Sequence, residues 1–264
     1  MKLNFCTLFS GSSGNCIYLG EENSHILIDV GVSATMAANA LKEIGVDPFL
    51  IDGILITHEH SDHISGVGAF SRRFNVPVFA NLKTWQAMEK KAGDIPVKNT
   101  RVFQNGQDFY VKNIDVHSFS TPHDAADSVG YALYCGGKKV SIATDLGHFP
   151  TRILDNIKDS DLVLIESNHD KTMLMNGKYP AYLKRRILSN RGHLSNDTCA
   201  EACLKLVDHN VRRFILGHLS KENNSEQLAI STVCGVMGEN HILPGKDIYL
   251  GVGPRNTSSP LYPL

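Results

Sequence analysis

The sequence has no apolar run that approaches the roughly 20 residues of a membrane-spanning helix. Its N-terminal stretch also lacks the cleavage pattern of a secretory signal. The cysteines are few and scattered, with no Cys-x-x-Cys pair, so we expect buried, reduced thiols. These absences together predict a cytoplasmic protein that does not bind a membrane.

The sequence also has no excess of charge of either sign, because it contains 26 Lys and Arg residues and 27 Asp and Glu residues. Proteins that bind nucleic acid by broad electrostatic attraction usually carry a basic excess, so any such contact here must be local. Short basic clusters occur at Arg72-Arg73, at Lys184-Arg185-Arg186 with Arg191 nearby, and at Arg212-Arg213. Clusters of this length are also typical of solvated helix ends.

The chain of 264 residues is at the upper end of the size at which one layered core still forms. Its apolar fraction of 42% and charged fraction of 20% are ordinary for a globular protein. We therefore expect one domain spanning residues 1–264.

Strand-like and helix-like segments alternate along the sequence. β-rich runs cover residues 2–9, 16–19, 25–31 and 53–57, and Ser33 is expected to cap a helix that ends at Gly45. Residues 100–145 read as antiparallel strands, and two apolar strands at 161–166 and 213–216 flank a helix that begins after Ser195. Sheets covered by helices satisfy this pattern, and the fold class we predict is a four-layer αββα sandwich.

Metal-binding side chains are concentrated just after the strand at 53–57. His58, Glu59, His60, Asp62 and His63 lie within six residues. So many imidazole and carboxylate groups repel one another or compete for protons unless cations lie between them. The spacing directs His58 and His60 to one ion and displaces Asp62 and His63 toward a second, as in two-metal hydrolytic sites.

The pattern His-x-His-x-Asp-His after an apolar strand resembles the signature of the metallo-β-lactamase fold superfamily, whose fold is the αββα sandwich. The resemblance implies that Asp29 orients the metal site and that Asp145 bridges two divalent ions. It also implies a third histidine for the first metal, for which His123 is favoured over His117, and a final histidine for the second metal, His218. The implied ligands are His58, His60, Asp62, His63, His123, Asp145 and His218.

Two further segments resemble the nuclease and phosphodiesterase branch of this superfamily. Arg191-Gly192-His193-Leu194-Ser195 matches its His-x-Ser segment, and Glu166 in Glu-Ser-Asn-His-Asp matches an acidic residue that supports the histidine. In that branch the counterpart of His193 acts on the scissile phosphate. Glu166 would orient His193 as a proton donor. The alternative is that Glu166 and His169 only shape a turn.

Together with the loop Ser10-Gly11-Ser12-Ser13-Gly14-Asn15, these segments resemble the WalJ (YycJ) group of bacterial DNA exonucleases. The resemblance implies an exonuclease in which a metal-bridging hydroxide attacks DNA phosphodiester bonds. Ser12, Ser13 and Asn15 are expected to contact phosphate through the glycine-serine loop. Lys184, Arg185 and Arg191 are expected to bind neighbouring phosphates as a local basic patch.

Two other functions stay open at the level of sequence. A small-molecule thioesterase or cyclic phosphodiesterase of the same fold would share the histidine signature, and a non-catalytic metal-binding regulatory protein would share the ligands. The metal is also open, because imidazole and carboxylate ligands suit zinc, manganese and iron alike.

Overall fold

The computed structural model describes residues 2–264, which form two compact units. Unit 1 contains the described residues up to Ser120 together with Ala125–Lys138 and Pro254–Leu264. Unit 2 contains Thr121–Asp124 and Lys139–Gly253. The prediction of one domain spanning 1–264 stays a prediction, and its first residue lies outside the described part.

The strands and helices of residues 2–264 are as follows. The strands are β1 Asn4–Phe9, β2 Cys16–Glu21, β3 Ser24–Ile28, β4 Gly53–Leu55, β5 Val78–Asn81, β6 Thr100–Phe103, β7 Asp108–Val111, β8 Ile114–Ser120, β9 Val129–Cys135, β10 Lys138–Ala143, β11 Leu162–Glu166, β12 Arg213–Gly217, β13 Tyr249–Val252 and β14 Tyr262–Pro263. The α-helices are α1 Ala34–Glu43, α2 Ser61–Ile64, α3 Val67–Phe74, α4 Leu82–Met88, α5 Thr151–Ile157, α6 Lys171–Asn176, α7 Ala181–Ile187, α8 Asn196–Val207 and α9 Glu226–Glu239. None of these helices is long and apolar enough to cross a membrane.

Unit 1 contains a mixed sheet with the strand order β14-β1-β2-β3-β4-β5-β6. Neighbours from β14 to β3 are antiparallel, and those from β3 to β6 are parallel. Helices α1 and α3 cover this sheet: Leu41 and Phe70 belong to one buried cluster with Leu27, Ile54 and Val78. Strands β7, β8 and β9 form antiparallel pairs in the same unit. The antiparallel stretch predicted after residue 100 is therefore confirmed for these three strands.

Unit 2 contains the parallel strands β10 to β13, in the order β13-β12-β11-β10. The carboxyl ends of parallel strands meet at one edge of a sheet, which is where ligands of α/β proteins bind. Asp145 follows β10, Glu166 is the last residue of β11, and His218 follows β12. The register pairs Glu166 with Gly217, so the carboxylate lies beside the residue that precedes His218.

The helix predicted after Ser33 is confirmed as α1. The Ser33 hydroxyl accepts a hydrogen bond from the Met36 nitrogen, and the helix ends before Gly45, whose φ of +80° suits glycine. Ala37 and Leu41 are buried and face the core, whereas Met36 is exposed.

The strand predicted over 53–57 ends two residues early, at Leu55. The Thr57 nitrogen donates to the Asp29 carboxylate instead of to a neighbouring strand, because the chain turns into the histidine cluster there. Helix α4 begins at Leu82 and ends at Met88. The six cysteines are free, as predicted, and five of them are buried.

Gly31 provides a test of close packing beneath the histidine segment. A Cβ atom there would lie 1.7 Å from the carbonyl oxygen of Asp62 and 2.8 Å from the Asn15 nitrogen, and both are backbone atoms. We expect Gly31→Ala to lower the free energy of unfolding by about 1–3 kcal/mol, as overpacking does, in urea unfolding experiments.

The matched control is Gly235→Ala in α9, where a Cβ atom would meet nothing within 4 Å. Alanine favours helix over glycine, so this variant should be more stable by up to about 1 kcal/mol. Equal losses in both variants would contradict the steric explanation.

Candidate metal centre

In unit 1, three imidazoles converge after β4. The ring centroids of His58 and His60 are 4.5 Å apart, and those of His58 and His63 are 4.1 Å apart. His58 and His63 are almost fully buried, and His60 is half-buried. Asp62 lies beside them, with its carboxylate oxygen 3.6 Å from Nε2 of His63. The structure therefore brings together the side chains that the sequence pattern grouped.

A buried carboxylate, Asp29, fixes the orientation of these rings. Its Oδ2 is 2.7 Å from Nδ1 of His63 and 2.7 Å from the Thr57 hydroxyl, and its Oδ1 accepts from the Thr57 nitrogen. The single hydroxyl proton of Thr57 points to Asp29, so Nδ1 of His58, 3.0 Å away, must donate to that hydroxyl. In both histidines the proton lies on Nδ1, which leaves Nε2 as the ligand atom.

Asn15 connects the glycine-serine loop to the histidine segment. Its side-chain oxygen accepts from the Gly11 nitrogen at 3.0 Å, and its backbone nitrogen donates to the Asp62 carbonyl at 2.8 Å. Its side-chain nitrogen lies 3.1 Å from Nε2 of His63. Asn15, predicted to bind phosphate, thus has contacts that hold the loop in place, whereas Ser12 and Ser13 are exposed at its tip.

In unit 2, a second group of side chains surrounds Glu166. Asp145, Glu166, His193 and His218 each offer one nitrogen or oxygen atom, and these atoms all lie within 4.8 Å of one another. Oδ1 of Asp145 is 3.6 Å from Nε2 of His218 and 3.6 Å from Nε2 of His123. A divalent cation suits this combination of imidazole nitrogens and carboxylate oxygens.

Glu166 is fully buried, and both of its oxygens are engaged. Oε1 accepts from Nδ1 of His193 at 2.8 Å and of His218 at 2.9 Å, and Oε2 accepts from the backbone nitrogens of Leu146 and Leu194. Burial alone would raise the pKa of the Glu166 carboxyl, but the two histidines hold this pKa well below its ordinary value. Glu166 therefore acts as a support that directs two Nε2 atoms outward.

The support of His218 by Glu166 was not predicted, because sequence reasoning assigned Glu166 to His193 alone. The sequence did indicate that Glu166 and His218 each lie at the carboxyl end of an apolar strand, here β11 and β12. Only the strand order of the folded chain identifies which strands are neighbours.

His123 is the histidine that lies with the group of unit 2. Its Nδ1 is 3.1 Å from the Gly192 carbonyl oxygen, to which it donates, and its ring centroid is 5.0 Å from that of His193. Its competitor His117 lies in β8 of unit 1, with Nδ1 2.6 Å from the Asp108 carboxylate. Burial lowers the pKa of His123, which favours the neutral ring that a metal requires.

The basic residues near His193 divide into two kinds. Arg191 donates from Nε and Nη2 to the His123 carbonyl oxygen at 3.0 and 2.8 Å, and Nζ of Lys184 donates to the Met175 carbonyl oxygen at 2.6 Å. These contacts help to hold the two side chains in place, and their predicted role in binding DNA stays a prediction. Arg185 is exposed and available to a ligand.

The chain belongs to the metallo-β-lactamase superfamily, whose family model matches residues 10–218. The strands and helices of both units are those of this α/β sandwich, so the predicted fold class is confirmed. A crystal structure of the metallo-β-lactamase fold protein YhfI from Bacillus subtilis is similar over 100% of both chains, with a TM-score of 0.75 and 12% identity.

Among its relatives, the chain is 39% identical to exodeoxyribonuclease YycJ of Bacillus anthracis over 239 residues, 90% of each chain. It is likewise 39% identical to exodeoxyribonuclease WalJ of Streptococcus pneumoniae serotype 2 over 259 residues, 97% of this chain and 96% of the relative. The predicted resemblance to this group is confirmed.

The first prediction from the site concerns Arg191. Arg191→Ala removes two hydrogen bonds from the turn that carries His123, so we expect the free energy of unfolding to fall by about 1 kcal/mol. Arg185→Ala is the control, because its exposed guanidinium should contribute less than about 0.5 kcal/mol. Chemical denaturation of both variants measures the difference, and equal stabilities would contradict the assigned role.

A second prediction concerns His169, for which a turn-shaping role was the alternative at the level of sequence. Its ring is 1% exposed, and neither ring nitrogen has a hydrogen-bond partner among the described residues. Burial lowers its pKa from 6.5 to about 4. Between these values the unfolded chain binds the proton more tightly, so acidification should reduce stability by at most about 1.4 kcal/mol per pH unit.

Unfolding experiments from pH 7 to pH 4 on His169→Asn test this dependence. The variant should lose less stability on acidification than the unmodified protein. His209→Asn, which alters an exposed histidine, should lose as much stability on acidification as the unmodified protein. If His169→Asn lost as much stability on acidification as the unmodified protein, the His169 ring would not be the source of the pH dependence.

Proposed function

We propose that the chain is a binuclear metal-dependent phosphodiesterase that hydrolyses DNA as an exonuclease. The observation that carries the proposal is the pairing of His193 with the fully buried Glu166. The His193 side chain is 18% exposed, whereas that of His218, bound to the same carboxylate, is 2% exposed. His193 is thus held like a metal-site histidine but remains accessible to a substrate.

Two divalent ions are proposed to complete the site. The side chains proposed to hold them are His58, His60, Asp62 and His63 in unit 1 and His123, Asp145 and His218 in unit 2. When bound, such ions stabilise phosphoryl charge and activate water. The chemistry of the donors supports this assignment: the Nδ1 protons of His58, His63, His123 and His218 are all engaged, so each Nε2 is free of a proton.

His193 is proposed to transfer a proton to the departing sugar oxygen. Oε1 of Glu166 binds Nδ1 and stabilises the positive charge of the protonated ring, so that Nε2 carries the proton toward the substrate. The surrounding Leu146 and Leu194 amides keep the carboxylate in place through Oε2. General acid catalysis of this kind commonly contributes about 10²- to 10⁴-fold to the rate.

DNA is the proposed substrate because the relatives that cover nearly the whole chain bear the name exodeoxyribonuclease. The exposed Ser12 and Ser13 and the exposed Arg185 are proposed to contact phosphates. Zinc, manganese or iron fits the ligand set. A purely regulatory role gives no reason for an accessible His193 above a buried carboxylate.

The test compares metal-dependent hydrolysis of several substrates. After metal removal and reconstitution with zinc or manganese, we expect nucleotide release from linear DNA, little cleavage of covalently closed circular DNA, and no hydrolysis of a thioester panel. His193→Ala should retain its metal content and lose about 10²- to 10⁴-fold in turnover. His209→Ala is the control for removal of an imidazole.

Two outcomes would overturn the proposal. One is hydrolysis of thioesters with no cleavage of DNA under either metal. The other is a His193→Ala variant with full metal content and full turnover, which would remove the acid role of His193.

A further inference from the structure

The segment from Lys171 to Arg191 is unusually basic for this chain. It carries three lysines and three arginines and has no Asp or Glu, in a protein whose net charge is −1. It connects the end of β11, where Glu166 stands, to His193, and it forms helices α6 and α7. The local charge therefore lies next to the catalytic candidates.

Large apolar side chains are exposed in the same segment. Tyr182 is 67% exposed, and Met173, Met175 and Leu188 are exposed as well. Tyr182 has no hydrogen-bond partner among the described residues. Exposed aromatic groups among cations are characteristic of surfaces on which nucleic-acid bases stack.

Most of the cations in the segment already have partners within unit 2. Lys171 pairs with Asp197 at 3.3 Å, Arg186 pairs with Asp124, and Lys184 and Arg191 donate to backbone carbonyls. These contacts fix α6 and α7 in place. Lys178 and Arg185 remain exposed and without a partner among the described residues.

Helix α7 extends from this exposed surface to the candidate site. Its last residue, Ile187, accepts a hydrogen bond from the His193 nitrogen at 3.0 Å. Tyr182 and Arg185 are three positions apart and therefore share one face of the helix. Tyr182 lies five residues before Ile187, about 7.5 Å along the helix axis.

We propose that the surface formed by Tyr182 and Arg185 on α7 and by Lys178 in the connection between α6 and α7 binds a single-stranded stretch of DNA next to the site. Tyr182 stacks on an unpaired base, and Lys178 and Arg185 bind the flanking phosphates. The occupant is single-stranded because the ring of Tyr182 needs the open face of a base, which the interior of a duplex does not offer. The choice of DNA as the ligand rests on the proposed function, whereas the surface itself is inferred from its residues.

The experiment measures binding without cleavage. Fluorescence anisotropy with a labelled oligodeoxythymidylate and a labelled duplex, both in a chelating buffer, gives the two dissociation constants. Tyr182→Ala should weaken single-strand binding by about 5- to 150-fold, the range expected for loss of one stacked base, and should leave duplex binding within about twofold. Tyr182→Phe keeps the ring and should bind like the unmodified protein.

The matched control is Tyr110→Ala on β7, a tyrosine that is 69% exposed in unit 1. For the charge contribution, Arg185→Ala should reduce the slope of log affinity against log salt by about 0.7, the value for one phosphate contact on a single strand. Arg152→Ala, an exposed arginine on α5, should leave this slope unchanged.

Equal affinities of Tyr182→Ala and Tyr110→Ala for the single strand would overturn the proposal. So would equal losses of single-strand and duplex binding, which would indicate a general phosphate contact instead of stacking. Circular dichroism of each variant checks that the fold is intact. A protein that binds as expected in chelating buffer but cleaves no DNA with metal would refute the proposed function and leave this surface established.

Discussion

The interaction on which the candidate site of unit 2 depends is the fully buried carboxylate of Glu166. One of its oxygens accepts from His193 and His218, and the other accepts from two backbone amides. An isolated buried charge would be very unfavourable, and here four donors stabilise it. Because both imidazoles share this acceptor, their orientations are coupled, and removal of the carboxylate would release both.

Asp29 has the corresponding role in unit 1. It is buried, and its two oxygens accept from His63 and from the backbone and hydroxyl of Thr57. Each unit thus contains a carboxylate that determines which imidazole nitrogen carries the proton. Such support of ligands by outer carboxylates and carbonyls increases metal affinity.

Three residues of the two groups have a strained, left-handed backbone conformation. Asp29, Asp145 and His218 all have positive φ values near +60°, a conformation that non-glycine residues adopt at a cost of about 1–3 kcal/mol. The surrounding contacts hold this conformation. For example, the Asn168 side chain donates to the His218 carbonyl oxygen at 2.9 Å, and Asn224 donates to the carbonyls of Ser167 and Asn168. These asparagines form a buried network beneath the site.

The fold class, the family and the residue types at the site could be predicted from the amino-acid sequence alone. The periods of apolar residues marked the main strands, and the density of His and Asp after β4 indicated metals, because both signals are local. Tertiary structure decided which groups pair: Glu166 supports His218 because β11 and β12 are neighbours, and Arg191 holds the His123 turn 68 residues away. Such contacts depend on strand order and loop paths, which are set by packing between distant segments and leave no local pattern in the sequence.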